Sequence, residues 1–257
     1  MVNLAAGEVV GFEALVRWQH PEFGLLAPAR FIGVAEDTGL ILDIGDFVMR
    51  AACNQIRSWQ NRGMGRLRIA VNISARHFQQ KNFLDRLVDI LGETRLDPTC
   101  LELELTETSI MESTEAAVKL LTQIRKLGVK VSIDDFGTGY SSLSYLKSLP
   151  IDTVKLDRSF VKGATTDPDD AALVMAIITL AHNLKLKVIA EGVETEEQVV
   201  FLRLLRCDEA QGFLYSKPMP PEAFESSVLL DPKRKLHVVS NSSRREMMKG
   251  NLSLVNE

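Results

Sequence analysis

The sequence predicts an α/β fold, most simply a TIM-like (β/α)8 barrel, and three observations support it. Short apolar runs alternate with segments of helical periodicity along nearly the whole chain, which is typical of βαβ units around a parallel sheet. The length of 257 residues is that of an ordinary barrel. The composition, with 46% apolar, 25% charged and only 6% aromatic residues, indicates a globular domain with a mainly aliphatic core.

Seven apolar runs are predicted to be strands, and the helices between them begin at capping residues or prolines. The predicted strands are Val9–Val16, Leu67–Ile73, Leu101–Leu105, Val129–Ile133, Thr153–Leu156, Leu186–Ala190 and Ala210–Leu214. The predicted helices are Pro28–Thr38, Asp43–Gln60, Ala75–Leu91, Ser113–Lys126, Ser142–Lys147, Pro168–Asn183 and Glu196–Leu205, with a last short helix opened by Pro220 and Pro221.

The strand count indicates an incomplete barrel. A closed (β/α)8 barrel needs eight strands, and the chain enters its first predicted strand at Val9 with no room for another before it. We therefore expect a barrel that lacks its first element. A seven-stranded barrel is the alternative, and periodicity does not distinguish between the two. Residues 1–230 form the predicted barrel, and the polar residues 231–257 are predicted to be a mobile tail.

Charge and cysteine content exclude several classes of protein. The net charge of −4 argues against a broad basic surface for a DNA or RNA polymer. Cys53, Cys100 and Cys207 are too widely spaced for a zinc site or a disulfide scaffold, so we expect reduced, buried thiols in a cytoplasmic protein. No apolar run approaches the roughly 18 residues of a membrane span, and Met1 does not open a signal peptide.

Nearly every predicted strand carries or ends in a polar side chain that we expect at the face where α/β barrels place their chemistry. A single carboxylate there is explained as the cap of the next helix. A whole set packed into one mouth would repel, and divalent cations are the usual compensation. In strand order, the set is Glu13 and Arg17, Asn72, Glu104 and Glu107, Asp134 and Asp135, Lys155 and Asp157, Glu191 and Glu194, and Gln211.

Carboxylates with one amide favour Mg²⁺ or Mn²⁺ over zinc. The set is large enough for two ions, a known arrangement for in-line phosphoryl displacement. The adjacent pair Asp134 and Asp135 can turn toward one site as the chain leaves the sheet. Lys155 is either a buried salt bridge or a group that orients a water. Arg17 is either a phosphate ligand or a surface salt bridge.

With these residues in place, the chain resembles the EAL-domain family of bacterial cyclic di-GMP phosphodiesterases over about residues 2 to 229. No single motif is specific, but their number and order make chance an inadequate explanation. The matching motifs are Glu13-Ala-Leu15, Asn72-Ile-Ser74, Glu104-Leu-Thr-Glu107, the run from Asp134 to Ser142, Lys155-Leu-Asp157, Glu191-Gly-Val-Glu194 and Gln211-Gly-Phe-Leu214.

The resemblance implies a role for each of these residues. It assigns Glu13, Asn72, Glu104 and Asp134 to one metal ion, and Asp134, Asp135 and Glu191 to a second. It implies that Lys155 positions the attacking water with Glu191 beside it, that Gln211 supports the water network, and that Arg17 and Leu15 contact substrate. It implies that Glu107 holds the loop from Asp134 to Ser142, and that Asp157 and Glu194 are supporting residues.

The resemblance implies metal-dependent hydrolysis of cyclic di-GMP to linear pGpG in bacterial second-messenger signalling, including control of biofilms. It also implies a homodimer, with sensor or GGDEF domains upstream in a longer parent protein. Met1 falls just after the Tyr-Gln-Pro of the family's first strand, so we expect a start at an internal Met and absence of the first helix and strand. A catalytically inactive receptor or interaction module is the alternative. An enolase-type barrel would need a capping domain, for which the chain has no room.

Overall fold

The computed structural model describes residues 1–111, 114–137 and 146–229, and in these ranges the main sheet has eight strands. In chain order, the strands are β1 (Val2–Asn3), β2 (Gly11–Ala14), β3 (Trp18–His20), β4 (Gly24–Leu26), β5 (Arg68–Asn72), β6 (Leu101–Thr106), β7 (Lys130–Phe136), β8 (Thr153–Leu156), β9 (Lys187–Ala190) and β10 (Glu209–Ala210). The main sheet has the order β1-β10-β9-β8-β7-β6-β5-β2, and β3 pairs with β4 in a separate hairpin.

Strand β1 brings the two ends of this sheet together. It runs antiparallel to β10, whereas all other neighbours in the main sheet are parallel. On its other side, Val2 forms a bridge with Val9, and the Val10 amide donates to the Met1 carbonyl at 3.1 Å. The predicted TIM-like barrel is thus confirmed. The count of seven strands is wrong by β1, because a two-residue strand has no periodic signal.

Helices cover the outside of the sheet, as expected for βαβ units. In chain order, they are α1 (Ile32–Thr38), α2 (Ile41–Asn61), α3 (Ala75–Phe78), α4 (Phe83–Thr94), α5 (Glu107–Met111), α6 (Thr114–Leu127), α7 (Arg158–Gly163), α8 (Pro168–Asn183), α9 (Glu196–Leu204) and α10 (Pro221–Leu229). No helix in the described ranges is both long and apolar enough to cross a bilayer.

The structure corrects some of the predicted elements. The single helix predicted over Ala75–Leu91 is two helices, α3 and α4, because the first turn ends at Gln79 and a new helix begins after Asn82. The strand predicted over Ala210–Leu214 is the shorter β10. The hairpin β3–β4 and the short helices α5 and α7 were not predicted. Most of the helix predicted at Ser142–Lys147, and the tail 231–257, lie outside the described residues.

The hydrophobic core lies between the strands and the helices, and the inside of the barrel is polar. Along β6, Leu101, Leu103 and Leu105 belong to the core cluster, while Glu102 and Glu104 alternate with them and are also buried. Successive side chains of a strand point to opposite faces, so the two glutamates lie inside the barrel. This alternation places charged groups inside the barrel.

Candidate active site

Lys155 lies at the centre of the predicted set of strand-end residues. Strand β8 carries it, and its side chain is 1% exposed. Its Nζ lies 2.9 Å from Glu104 Oε1, 3.1 Å from Asp134 Oδ1 and 2.6 Å from Glu191 Oε1. The ammonium therefore joins residues of three other strand ends at a single point, as the barrel prediction requires.

Glu13 closes the same cluster on the other side. Its Oε1 accepts from Asn72 Nδ2 at 2.7 Å, and its Oε2 accepts from Gln211 Nε2 at 2.8 Å. Gln211 Nε2 also lies 3.2 Å from Glu191 Oε1. These amides hold two carboxylates of the mouth in place.

A β-bulge explains how the adjacent Asp134 and Asp135 reach one site. The register between β7 and β8 shifts between Ile133 and Phe136. Asp135 has a φ of 52°, the left-handed region that Asp and Asn enter at lower cost than most residues. Without the bulge, successive side chains would point to opposite faces. With it, carboxylate oxygens of Asp134, Asp135 and Glu191 lie within 4.8 Å of one another.

The electrostatics of the mouth are dominated by burial and by Lys155. Burial raises the pKa of the Glu104 carboxyl well above its usual value, against the opposing attraction of Lys155. Burial likewise raises the pKa of Glu191 to about 7. For Glu13, burial would raise the pKa, but Lys155 and the hydrogen bonds from Gln211 and Asn72 outweigh it and lower the pKa.

Lys155 keeps its charge in this setting. Burial alone would lower its pKa, but the carboxylates around it, Glu104 and Glu191 first, raise that pKa well above its usual value. The pKa of Asp135 is raised by burial and by its neighbour Asp134. One ammonium thus faces several carboxylates whose charged form is destabilised by burial. A single positive charge does not balance them, so additional cations would stabilise the mouth.

The residues present fit divalent cations. Glu104 Oε2 is buried and accepts no hydrogen bond from any described residue, which leaves this oxygen available to a cation. The donors are carboxylate oxygens and one amide, the set that Mg²⁺ and Mn²⁺ prefer. Among the described residues, Asp134, Asp135 and Glu191 bring their carboxylate oxygens close enough together to hold an ion.

A cavity of about 990 Å³ opens beside these residues. Leu15 and Arg17, the predicted substrate contacts, line it together with Glu13, Glu191 and Gln211. Both side chains are exposed, and Arg17 Nη1 donates to the Val16 carbonyl at 2.8 Å. The structure therefore places a guanidinium and an apolar side chain at the rim of the carboxylate cluster.

The three predicted supporting residues lie near the mouth but have different surroundings. Glu107 begins α5 directly after β6, and its Oε2 is buried without a hydrogen bond from the described residues. The loop that it is predicted to hold lies mostly outside those residues. Glu194 is exposed and lines the cavity.

Asp157 lies beyond the end of β8 rather than within it. Its carboxylate caps α7 by accepting from the Ser159 amide at 2.9 Å. The Asp157 carboxylate therefore lies just outside the strand that carries Lys155. Asp157 nevertheless lies near Asp135 and contributes to the raised pKa of that carboxyl.

Sequence reasoning assigned no role to three further residues at the cavity, which are Arg158, Gly192 and Phe213. Arg158 lines it, and Gly192, with a φ of 65°, packs so closely that a Cβ there would lie 2.4 Å from Arg158 Cβ. Phe213 also lines the cavity and is 59% exposed. The glycine after Glu191 was the available signal for a close backbone approach.

Comparison with known proteins gives a consistent result. The family model described as EAL domain matches residues 1–218. The chain is 47% identical over 222 residues to the bifunctional diguanylate cyclase/cyclic di-GMP phosphodiesterase MucR of Pseudomonas aeruginosa, covering 86% of this chain and 32% of that protein. It is 45% identical over 219 residues to the cyclic di-GMP phosphodiesterase PdeR of Escherichia coli, covering 85% and 33%. The chain thus spans about a third of these relatives.

Solved structures agree with the sequence match. The structure titled PaMucR phosphodiesterase, c-di-GMP complex, superposes with a TM-score of 0.83 at 47% identity, covering 87% of this chain and 90% of that one. The EAL domain protein from Listeria monocytogenes superposes with a TM-score of 0.77 at 39% identity, covering 89% and 90%. These matches confirm the resemblance: the chain belongs to the EAL domain family.

Proposed function

We propose that this chain hydrolyses cyclic di-GMP to linear pGpG with the help of divalent cations, Mg²⁺ or Mn²⁺, two ions per site. The single observation that carries the proposal is the contact of Lys155 Nζ with Glu104, Asp134 and Glu191 at the barrel mouth. The relatives named cyclic di-GMP phosphodiesterases support the choice of substrate.

The residues divide naturally between two ions. Glu13, Asn72, Glu104 and Asp134 would hold one, and Asp134, Asp135 and Glu191 the other. When bound, the ions supply charge for the phosphodiester oxygens and lower the pKa of water. Asn72 and Gln211 keep Glu13 oriented through their hydrogen bonds, which preserves the spacing of the cluster.

The chain's own groups arrange the reaction. A water in contact with both Lys155 Nζ and Glu191 attacks phosphorus. The new P–O bond forms as the P–O3′ bond breaks, and one proton of that water ends on the 3′ oxygen. The surrounding carboxylates, acting against burial, raise the pKa of Lys155. Its ammonium would orient the water and stabilise negative charge.

The cavity accounts for substrate placement. Arg17 lies at its rim, where a guanidinium can bind a phosphate through two parallel hydrogen bonds. Leu15 and Phe213 offer exposed apolar surface on which a base can pack. Glu107, Asp157 and Glu194 would support the neighbouring turns, and we also propose that the chain acts as a homodimer.

The proposal is tested by incubating the purified chain with cyclic di-GMP and Mn²⁺ or Mg²⁺ and separating products by chromatography, with EDTA as the control. We expect metal-dependent formation of pGpG. Binding of the dinucleotide without turnover by a folded, metal-loaded chain would indicate the rival receptor function. If the chain neither binds nor hydrolyses cyclic di-GMP, both functions are overturned.

A further inference from the structure

We propose that Arg68 is a positioning residue for the metal-binding mouth, acting through Glu102 and Glu209 on the floor of the barrel. It lies at the opposite end of the barrel interior from the metal-binding residues. The inference deepens the proposed function, because it concerns what fixes the ligands of the same site.

Arg68 makes a two-sided contact inside the barrel. Its Nε lies 2.6 Å from Glu102 Oε2, and its Nη2 lies 2.5 Å from Glu209 Oε2. The three side chains are 16%, 1% and 3% exposed respectively. The planar fork of a guanidinium fixes direction as well as distance, so this contact sets the relative position of three strands.

Each of these three strands also carries a residue of the mouth. The floor residue and the mouth residue of each strand are two or four positions apart along the chain. This even spacing keeps the two side chains on the same face. The pairs are Arg68 and Asn72 at the two ends of β5, Glu102 and Glu104 on β6, and Glu209 on β10 with Gln211 just beyond it.

The contact between Arg68 and Glu209 lies beside β10, whose pairings with its neighbouring strands are only two residues long. Strands β5 and β10 are not neighbours, and β10 is joined to the rest of that edge by the two-residue β1. Gly11 of β2 pairs with Arg68, and a Cβ at Gly11 would lie 3.1 Å from Arg68 Cβ. The absent side chain leaves room for the Arg68 stem to reach Glu209.

Stability alone does not account for this network. Taking an arginine and two carboxylates out of water is costly, and apolar residues of similar volume often stabilise a core as well or better. A charged floor does what an apolar floor does not, because the hydrogen bonds from Arg68 to Glu209 and its ion pair with Glu102 restrict the relative placement of the three strands. That placement fixes the spacing of Asn72, Glu104 and Gln211 above it.

The test is Mn²⁺ affinity of Arg68→Lys, which keeps the charge but loses the fork. We expect its dissociation constant for Mn²⁺ to rise about tenfold, as for other residues that orient metal ligands. Arg62→Lys is the matched control, because Arg62 binds Glu225 at 2.7 Å on the outside of the barrel. Affinity is measured by calorimetric titration well below the melting temperature of each variant.

A purely structural role would lower the melting temperature of Arg68→Lys without changing its Mn²⁺ affinity, and that result would overturn the inference while leaving the proposed function intact. Should Arg68→Lys not fold, Glu102→Gln keeps the hydrogen bonds from Arg68 to Glu209 and leaves one charge of each sign on the floor, and the same rise is expected. Absence of Mn²⁺ binding by the unsubstituted chain would overturn the proposed function and this inference together.

Discussion

Glu13 shows how one side chain links the two halves of the mouth. It accepts hydrogen bonds from Asn72 and Gln211, at 2.7 and 2.8 Å, on strands that are far apart along the chain. The sequence identified all three residues because each is a polar residue on a predicted strand. It did not predict their hydrogen bonds, because side-chain partners across a barrel depend on register, which periodicity leaves open.

Replacing Glu13 with Gln removes a charge while keeping the side-chain volume. We expect cyclic di-GMP hydrolysis to fall by about 10³-fold, because a lost ligand costs several kcal/mol of charge stabilisation. The fold, followed by circular dichroism, should be retained. Glu8→Gln, at an exposed position, is the control. An unchanged rate in Glu13→Gln would remove this residue from the site.

The cysteines provide a test of residue burial. All three are free and buried, as the sequence predicted, and burial raises the pKa of the Cys53 and Cys207 thiols to about 12. At pH 8 their thiolate fraction should be about 10³-fold below that of an ordinary cysteine. We expect negligible alkylation of both in the native protein and full labelling after denaturation, measured by mass spectrometry of digests. Rapid native labelling would contradict their burial.

At the scale of the element, the bulge in β7 is the feature that determines the site. The adjacent acidic residues predicted a shared site. The apolar run predicted a strand that ends at Ile133, before these residues, so the sequence did not indicate a bulge. The strand instead continues to Phe136, with Asp135 in the left-handed region. A strand that ends before Asp134 and a strand that continues through a bulge can both bring the two carboxylates to one site, but the backbone differs.

Two substitutions at Asp135 separate charge from conformation. Asn tolerates the left-handed region, so Asp135→Asn should keep the free energy of unfolding within about 0.5 kcal/mol. Asp135→Val should lose about 1–2 kcal/mol, because a β-branched residue is strained there. Both should bind Mn²⁺ less tightly. Urea unfolding measures the difference, and equal stability of the two variants would contradict the bulge.

At the scale of the whole molecule, the predicted barrel and its polar face were correct, and the closure of the barrel was missed. Strand alternation and helix spacing extend over many residues and therefore identify β5 to β9 and most helices. The eighth strand, β1, is two residues long and is defined by its partners β10 and Val9 rather than by its own pattern. Closure is a property of long-range pairing, which local sequence does not encode.

The role of β1 in the whole fold can be measured through Leu4, which follows it and is 1% exposed. We expect Leu4→Ala to lower the free energy of unfolding by about 2–5 kcal/mol, the usual result of truncating a fully buried leucine. Leu204→Ala, at a site that is 77% exposed, should change it by less than about 0.5 kcal/mol. Similar small losses in both variants would show that β1 does not pack into the barrel.

The central claim is that water, oriented by Lys155 and Glu191 beside divalent cations, cleaves the P–O3′ bond of cyclic di-GMP. The most direct measurement is hydrolysis in ¹⁸O-labelled water with Mn²⁺, with the products analysed by mass spectrometry. The account predicts pGpG with one ¹⁸O atom in its 5′-phosphate, formed only when the metal is present. Unlabelled pGpG, label outside the phosphate, or no pGpG from a folded, Mn²⁺-loaded chain would contradict it.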